Sequence, residues 1–466
     1  MSGRIDFTMG INTQGAVPKR DSDKGLRIYI LGDFSGRSHD SWEQRKIRGI
    51  DIDNFDRVMT QIMPTLEIDS GLTLQFEALE DFHPDAWLEK VQIVADLQKL
   101  KRELSNPNTA AQAAAKILAS YKGETKGDTP VQLNKATENQ EDMLQRLLGK
   151  KSEKISDRPD SVDQFINQII SPYVKKDADP QYQVLIEVID LTISKYLRTL
   201  LHRPDFQNLE ALWRSTEALV NEELGDDQSF FLVDISQVEL MLELKKESSA
   251  FEQKLLHHAQ SGEGEQDILL IGDYCFSDSE IDRDLLVFCS KLAKACDGFF
   301  LGGANKSLIK NYISAESENV QDWSQYLNDI CADRIMLSYP RYLLRLPYGN
   351  KRDPIEAFEF DECSVIPLSE ELLWGNPAFV CARVLIRTSQ GQKTEEHFYF
   401  NDIPAFSIDQ DGEQVLQPGT ETLLNETQAN ALLSKGIMPL IGFRLRQGIR
   451  LITISTLSEQ SQLLGK

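Results

Sequence analysis

Several absences narrow the function of this 466-residue sequence before any motif is read. No apolar run approaches the roughly 18 residues of a bilayer-spanning helix. The opening stretch, MSGRIDFTMG, has no apolar core of a secretory signal. Both point to a cytoplasmic protein without membrane insertion. Positive charge is scarce: 50 Lys and Arg stand against 73 Asp and Glu, a net charge of −23. Nucleic acids and anionic lipid surfaces reward clustered Lys and Arg, so neither is expected as a partner. The six cysteines, at 275, 289, 296, 331, 363 and 381, form no C-x-x-C and have no histidine at zinc-ligand spacing. They read as small buried apolar residues rather than disulfides or metal ligands. The adjacent pair His257 and His258 faces different sides of a helix, chelates poorly, and reads as a solvated helix end. No G-x-S-x-G and no H-E-x-x-H occurs, so neither a hydrolase nucleophile nor a zincin site is signalled.

What is present begins with RIYILGDFSGRS at 27–38, a short β-type run that ends in Gly32 and meets a second glycine at Gly36. A strand entering a glycine-rich turn is how phosphate-binding loops start. A P-loop, however, needs four residues between its glycines and then Lys. Here three residues intervene, Arg37 stands where Lys would, and Asp33 places a negative charge inside the would-be anion nest. LGGANKS at 301–307 also misses the pattern, because Asn305 replaces the glycine before Lys306. Asp33 and Asp273 follow strands, where α/β enzymes place catalytic groups, yet both lie in the same GD[FY] turn with no His, Lys or Ser attached. Glu359 and Asp361 could pair on a metal, but a solvated strand edge is the simpler reading in so acidic a chain. No catalytic residue, metal ligand or cofactor site is therefore expected, and no enzyme.

The pattern along the chain predicts an α/β fold. RIDFTMG at 4–10 alternates Ile5, Phe7 and Met9 with polar neighbours, a period-two strand free to join another chain's sheet. Further strands are expected at 27–34 and 72–79, followed by a helix with Pro84 in its first turn. Residues 106–138 are rich in Ala, Asn, Thr, Gly and Lys, and a domain boundary falls near 125–138. Beyond it, Met143, Leu144, Leu147 and Leu148 form one stripe of a short helix closed by Gly149. That helix has two readings: it docks on its own domain, or it is bait for a partner's groove. Two helices are expected over 184–220, then strand–helix alternation over 230–304, the signature of parallel β with helices on both faces. The tail, 376–456, carries strand signals, including AFVCARVLIRT.

Two groups of segments resemble two different proteins of one machine. LGDFSGR (31–37), RKIRGIDIDNFDRVM (45–59) and LTLQFEALEDFHPDAW (72–87) resemble the small sheath subunit of type VI secretion systems, the TssB/VipA family. LRTLLHRPDFQNLEALWRSTEALV (197–220), LIGDYCFS (270–277), YPRYLLRLPYG (339–349), LLWGNPAFVCA (372–382) and LLSKGIMPLIGFR (432–444) resemble the large subunit, the TssC/VipB family. The resemblance implies a sheath-protein-like α/β fold of mixed sheets with flanking helices in two fused lobes. It divides the chain into a small-subunit-like domain over 1–125, a linker with amphipathic helices over 126–180, and a large-subunit-like domain over 181–466. It implies that Gly32, Asp33, Gly36, Arg37, Trp213, Arg214, Pro347, Gly349, Trp374 and Gly375 are structural motif residues. The implied partners are the protein itself or other sheath subunits, an inner-tube protein, a baseplate and a AAA+ disassembly ATPase. Ile5, Phe7 and Met9 would donate a strand to a neighbour, and the 143–148 stripe would be what the ATPase recognises. The implied function is a fused subunit of a contractile sheath around the inner tube. Because the large family continues past the segment PLIGFRLRQGIRLITIS, an adaptor, cap or regulator of an ordinary sheath is the alternative expectation.

Overall fold

The computed structural model describes residues 25–36, 41–69, 72–123, 182–222, 228–246, 248–261, 266–313, 331–350, 352–356, 358–389, 394–410 and 413–458. Its strands are β1 (Gly25–Gly32), β2 (Arg48–Ile50), β3 (Thr65–Asp69), β4 (Leu72–Gln75), β5 (Gln228–Asp234), β6 (Gln266–Phe276), β7 (Phe299–Ala304) and β8 (Ile335–Tyr339), then β9 (Tyr342–Leu343), β10 (Trp374–Gly375), β11 (Tyr399–Phe400), β12 (Phe406–Gln410), β13 (Glu413–Gln417), β14 (Ile437–Gly442) and β15 (Ile449–Leu451). Its helices are α1 (Phe55–Ile62), α2 (Gln92–Ser105), α3 (Ala110–Gly123), α4 (Tyr182–Leu201), α5 (Pro204–Val220) and α6 (Gln237–Leu244), then α7 (Ala250–Gln260), α8 (Glu280–Ala295), α9 (Lys306–Ile313), α10 (Pro377–Ser389) and α11 (Glu426–Leu433).

The residues divide into two compact units. One takes Met1–His83, Leu200–Pro354 and Asp361–Lys466; the other takes Pro84–Thr199 and Ile355–Phe360. The boundary expected near 125–138 lies outside the described residues.

The larger unit is organised by a nine-stranded sheet in the order β11-β15-β14-β8-β7-β6-β1-β5-β2. Six neighbouring strands, from β14 to β5, run parallel, and β2, β15 and β11 add antiparallel edges. Strand β1 is interior to the sheet, with Ile28 opposite Phe230 of β5 on one side and Leu269 of β6 on the other. All eight of its residues are buried, as expected for a parallel strand covered on both faces. Its aliphatic side chains Leu26, Ile28, Ile30 and Leu31 together contribute on the order of 10 kcal/mol of burial, at about 1.5–3 kcal/mol each. On one face Tyr29, Leu31, Leu270, Phe300 and Leu337 share a core with Leu240 of α6, Phe251 and Leu255 of α7, and Leu285, Cys289 and Leu292 of α8. On the other face lie α5, whose Leu212 abuts Gly32, and α10, which packs on β6, β7 and β8.

Two local expectations are corrected, and one is refined. AFVCARVLIRT is helix α10, not strand, with Pro377 in its first turn and Asn376 Oδ1 accepting from the Ala378 N–H at 3.0 Å. Nine of its thirteen residues are buried, and burial on all sides removes the helical period that would have identified it. The tract after Ser236 is two helices, α6 and α7, each started by a serine cap at Ser236 and Ser249. In the smaller unit, Pro84 opens a 3-10 turn, Pro84–Ala86, and α2 begins only at Gln92. There α2 packs on α3, and Lys101 pairs with Asp190 at 2.6 Å.

Candidate functional site

The glycine turn after β1 is built to be filled from within. Gly36 has φ +64°, and a Cβ there would stand 2.6 Å from the Thr65 carbonyl oxygen, so glycine is required by both backbone and space. The Phe34 carbonyl accepts from Trp213 Nε1 at 3.1 Å, and the two rings meet edge to face at 5.1 Å. Phe55 closes on the same indole at 5.7 Å. The Ser35 N–H, which a phosphate would need, donates to Asp234 Oδ1 at 3.2 Å. An internal carboxylate therefore takes up this N–H of the turn. The Asp234 carboxyl is pushed up to about 6 by burial, against the opposing pull of Arg45 and of Ser35. Arg45 forks onto Glu239 at 2.9 and 3.0 Å and lies 3.6 Å from Asp234.

Asp273 lies one strand away, within β6. Its carboxyl is also pushed up to about 6 by burial, offset in part by the Asn376 amide. Asp33 follows the end of β1, whereas Asp273 lies inside β6 and not after a strand as expected; a Cβ on Gly32 would come within 3.4 Å of Asp273 Cβ. Among the described residues no group of three or more His, Cys, Asp or Glu side chains is arranged to hold a metal ion. Glu359 and Asp361 are both exposed. His258 is not the solvated helix end expected from the sequence. Its Nδ1 lies 3.0 Å from Tyr29 Oη, its ring packs on Phe231, and burial with the Arg27 charge nearby holds its pKa below the usual value.

The densest polar constellation in the larger unit was not legible in the sequence. Arg345 forks onto two carboxylates, at 2.7 and 3.2 Å from Glu210 and at 2.7 and 3.0 Å from Glu362. Glu210 also accepts from Arg214 Nε at 2.8 Å, and Glu362 from the Tyr348 N–H at 2.7 Å. The Arg345 guanidinium lies 3.9 Å from the Tyr348 ring centroid. Both carboxylates are almost wholly buried, Glu210 at 0% and Glu362 at 2% exposure, so only the fork geometry makes their charges tolerable. Burial opposes ionisation of Glu210, but Arg345 and Arg214 outweigh it and hold its carboxyl below the usual range. The network ties α5 to the LRLPYG loop and to the segment after Asp361. Its only sequence signal was charge embedded in otherwise apolar stretches, and the partners are up to 135 positions apart.

The other singled-out residues sit at turns and packing joints. Pro347 is buried, and Gly349 exchanges backbone hydrogen bonds with Arg352 at 2.8 and 2.7 Å. Trp374 Nε1 donates to the Ser369 carbonyl at 2.7 Å. A Cβ on Gly375 would meet Tyr342 Cζ at 2.8 Å. Arg37, Ile5, Phe7, Met9, Met143, Leu144, Leu147 and Leu148 lie outside the described residues. Among the described residues no helix is long and apolar enough to cross a membrane.

These side chains hold elements of the α/β fold to one another. Residues 183–457 match the family described as VipB: EvpB/VC_A0108, tail sheath N-terminal domain. Residues 2–120 match the family described as type VI secretion system, VipA, VC_A0107 or Hcp2. The chain belongs to the VipB family of tail sheath proteins, with a VipA-like region ahead of the VipB-like one. It is 29% identical over 297 residues to the type VI secretion system sheath protein TssC1 of Pseudomonas aeruginosa, a match covering 58% of this chain and 59% of that protein. The chain thus spans less than two thirds of the length of this curated relative.

Proposed function

We propose that this chain is a single-polypeptide sheath subunit that combines the small-subunit-like and large-subunit-like regions and assembles with further copies around an inner tube. The observation that carries this reading is the place of β1. A strand from the VipA-like region is inserted, buried at every position, between β5 and β6 of the VipB-like region. Without β1, those two strands would face each other across a gap and lose a ladder on each side. The two regions therefore share one sheet, two strands (β1, β2) from the VipA-like region and seven from the VipB-like one, and a covalent tether raises their effective concentration to about the millimolar range. Strand donation by Ile5, Phe7 and Met9, recognition of the 143–148 stripe by an ATPase, and contact with a baseplate belong to the same proposal.

Two experiments test it. Negative-stain electron microscopy of the purified chain, alone and with inner-tube and sheath subunits, should show tubes that incorporate it along their length. Particles found only at tube ends would replace this reading with that of a cap or adaptor. Separately expressed 1–123 and 182–466 should co-purify, and Ile30→Asp should abolish the association. Independent folding of the two pieces without binding would refute the shared sheet.

A further inference from the structure

Two exposed features of the larger unit are complementary. The first is the turn joining β14 to β15. Leu445 at its tip is 97% exposed, and Arg444, Arg446 and Gln447 around it are exposed as well. This turn is held rigidly. Arg446 lies 3.9 Å from the Phe443 ring centroid, Phe443 stacks on Tyr399, and Arg450 covers Tyr399 from 5.0 Å. Gln447 Nε2 donates to the Asn401 carbonyl at 3.2 Å, and Gly448, at φ +95°, closes the turn. Among the described residues neither Arg444 nor Arg446 has a carboxylate partner. The second feature is the loop 364–370. Val365 is 82% exposed, and Ile366 and Leu368 are exposed beside it. Single exposed aliphatics are ordinary; three within four residues on an ordered loop are not. Order is imposed by Glu371, whose carboxylate accepts from Ser364 Oγ at 2.8 Å and from the Leu368 N–H at 3.0 Å. The exposed carboxylates Asp361 and Glu370 stand at the two ends of this loop.

We infer that the turn 444–447 of one copy seats on the loop 364–370 of the next, with Leu445 against Val365, Ile366 and Leu368 and its two arginines toward Asp361 and Glu370. This inference rests on the assembly reading above. The occupant is a second copy because each chain carries both halves of the contact. Copies with a net charge of −23 repel one another, so a local cationic tip meeting an acidic, apolar loop supplies the short-range attraction that bulk charge denies. Such a contact uses two different patches. It is heterologous, and repeats of it generate a ring or a helical array rather than a closed pair.

The test uses the full chain. One variant carries Arg444→Glu with Arg446→Glu; the other carries Asp361→Lys with Glu370→Lys. All four positions are exposed, and circular dichroism with a melting curve checks folding. Sedimentation velocity should show self-association of each variant weakened by about tenfold or more. An equimolar mixture should regain it, because every contact in an alternating array is then matched. Photocrosslinking from benzoylphenylalanine at position 445 should capture a peptide within 361–371 of another copy. Self-association that survives both variants, or a crosslink mapped elsewhere, overturns this contact and leaves the assembly reading standing. A wild-type chain that stays monomeric at every concentration and forms no tubes overturns the assembly reading and this contact together.

Discussion

Replacing Arg345 by methionine probes the buried charge network most directly. Methionine matches much of the arginine stem but removes the fork that serves Glu210 and Glu362. Glu210 keeps Arg214 at 2.8 Å, whereas Glu362 keeps only the Tyr348 N–H among its contacts in the network. Removing one partner of a buried ion pair costs about 3–5 kcal/mol, because an uncompensated charge is left in a low-dielectric site. At pH 7, Arg345→Met should therefore lose stability of that order, read from the urea transition followed by tryptophan fluorescence. The loss should shrink as pH falls below the unfolded carboxyl range, where the Glu210 charge that Arg345 helps to hold is given up. In the wild type burial opposes its charge, yet Arg345 and Arg214 hold the Glu210 carboxyl below the usual range. Its contribution is complete above the unfolded carboxyl pKa and disappears as pH falls through the folded one. The two stability curves should thus converge in acid. Adding Glu362→Gln should recover about 1–3 kcal/mol of the loss at pH 7. A loss under about 1 kcal/mol that does not change as pH falls through the carboxyl range would mean that the pairs are screened surface pairs, and the reasoning would fail.

Two further predictions follow from the turn after β1. Gly36→Ala should cost about 2 kcal/mol or more, since it combines a left-handed backbone with a 2.6 Å approach to the Thr65 oxygen; Gly49→Ala, where the nearest atom is 4.0 Å away, should stay within about 0.5 kcal/mol. Equal effects in denaturant melts would remove the steric argument. Asp234, with its carboxyl raised to about 6, binds a proton more tightly folded than unfolded. Its contribution is present below the unfolded pKa and is lost as pH rises toward 6, by about 2–3 kcal/mol. The stability of Asp234→Asn relative to wild type should accordingly rise by that amount between pH 4 and 7, and a flat difference would refute the assignment.

Much of the fold was legible because its signals are local. The run from Leu26 to Gly32, the stripe through α5 and the strand–helix alternation over 228–304 each follow from apolar period and caps within a dozen residues. Gly36 likewise announced a turn. Where burial is complete the local signal fails: α10 is apolar around its circumference, and its sequence reads equally as strand. The candidate site was legible only in its parts. Trp213 and Gly32 stood out as turn and packing residues, but Arg345 and its carboxylates are joined only by tertiary contact.

By itself, the sequence determined the α/β class, the turn chemistry and the two regions of family likeness. It also excluded a P-loop, by glycine spacing and by Arg37 and Asp33 at the turn. Only the tertiary structure decided that β1 enters the sheet between β5 and β6, that Asp234 takes up the Ser35 N–H of the turn, and that Glu210, Arg345 and Glu362 close on one another. The physical reason is the range of the interactions. Propensity and periodicity act over one or two turns of chain. Strand partners and buried ion pairs are selected by apolar area and charge compensation between segments more than a hundred residues apart.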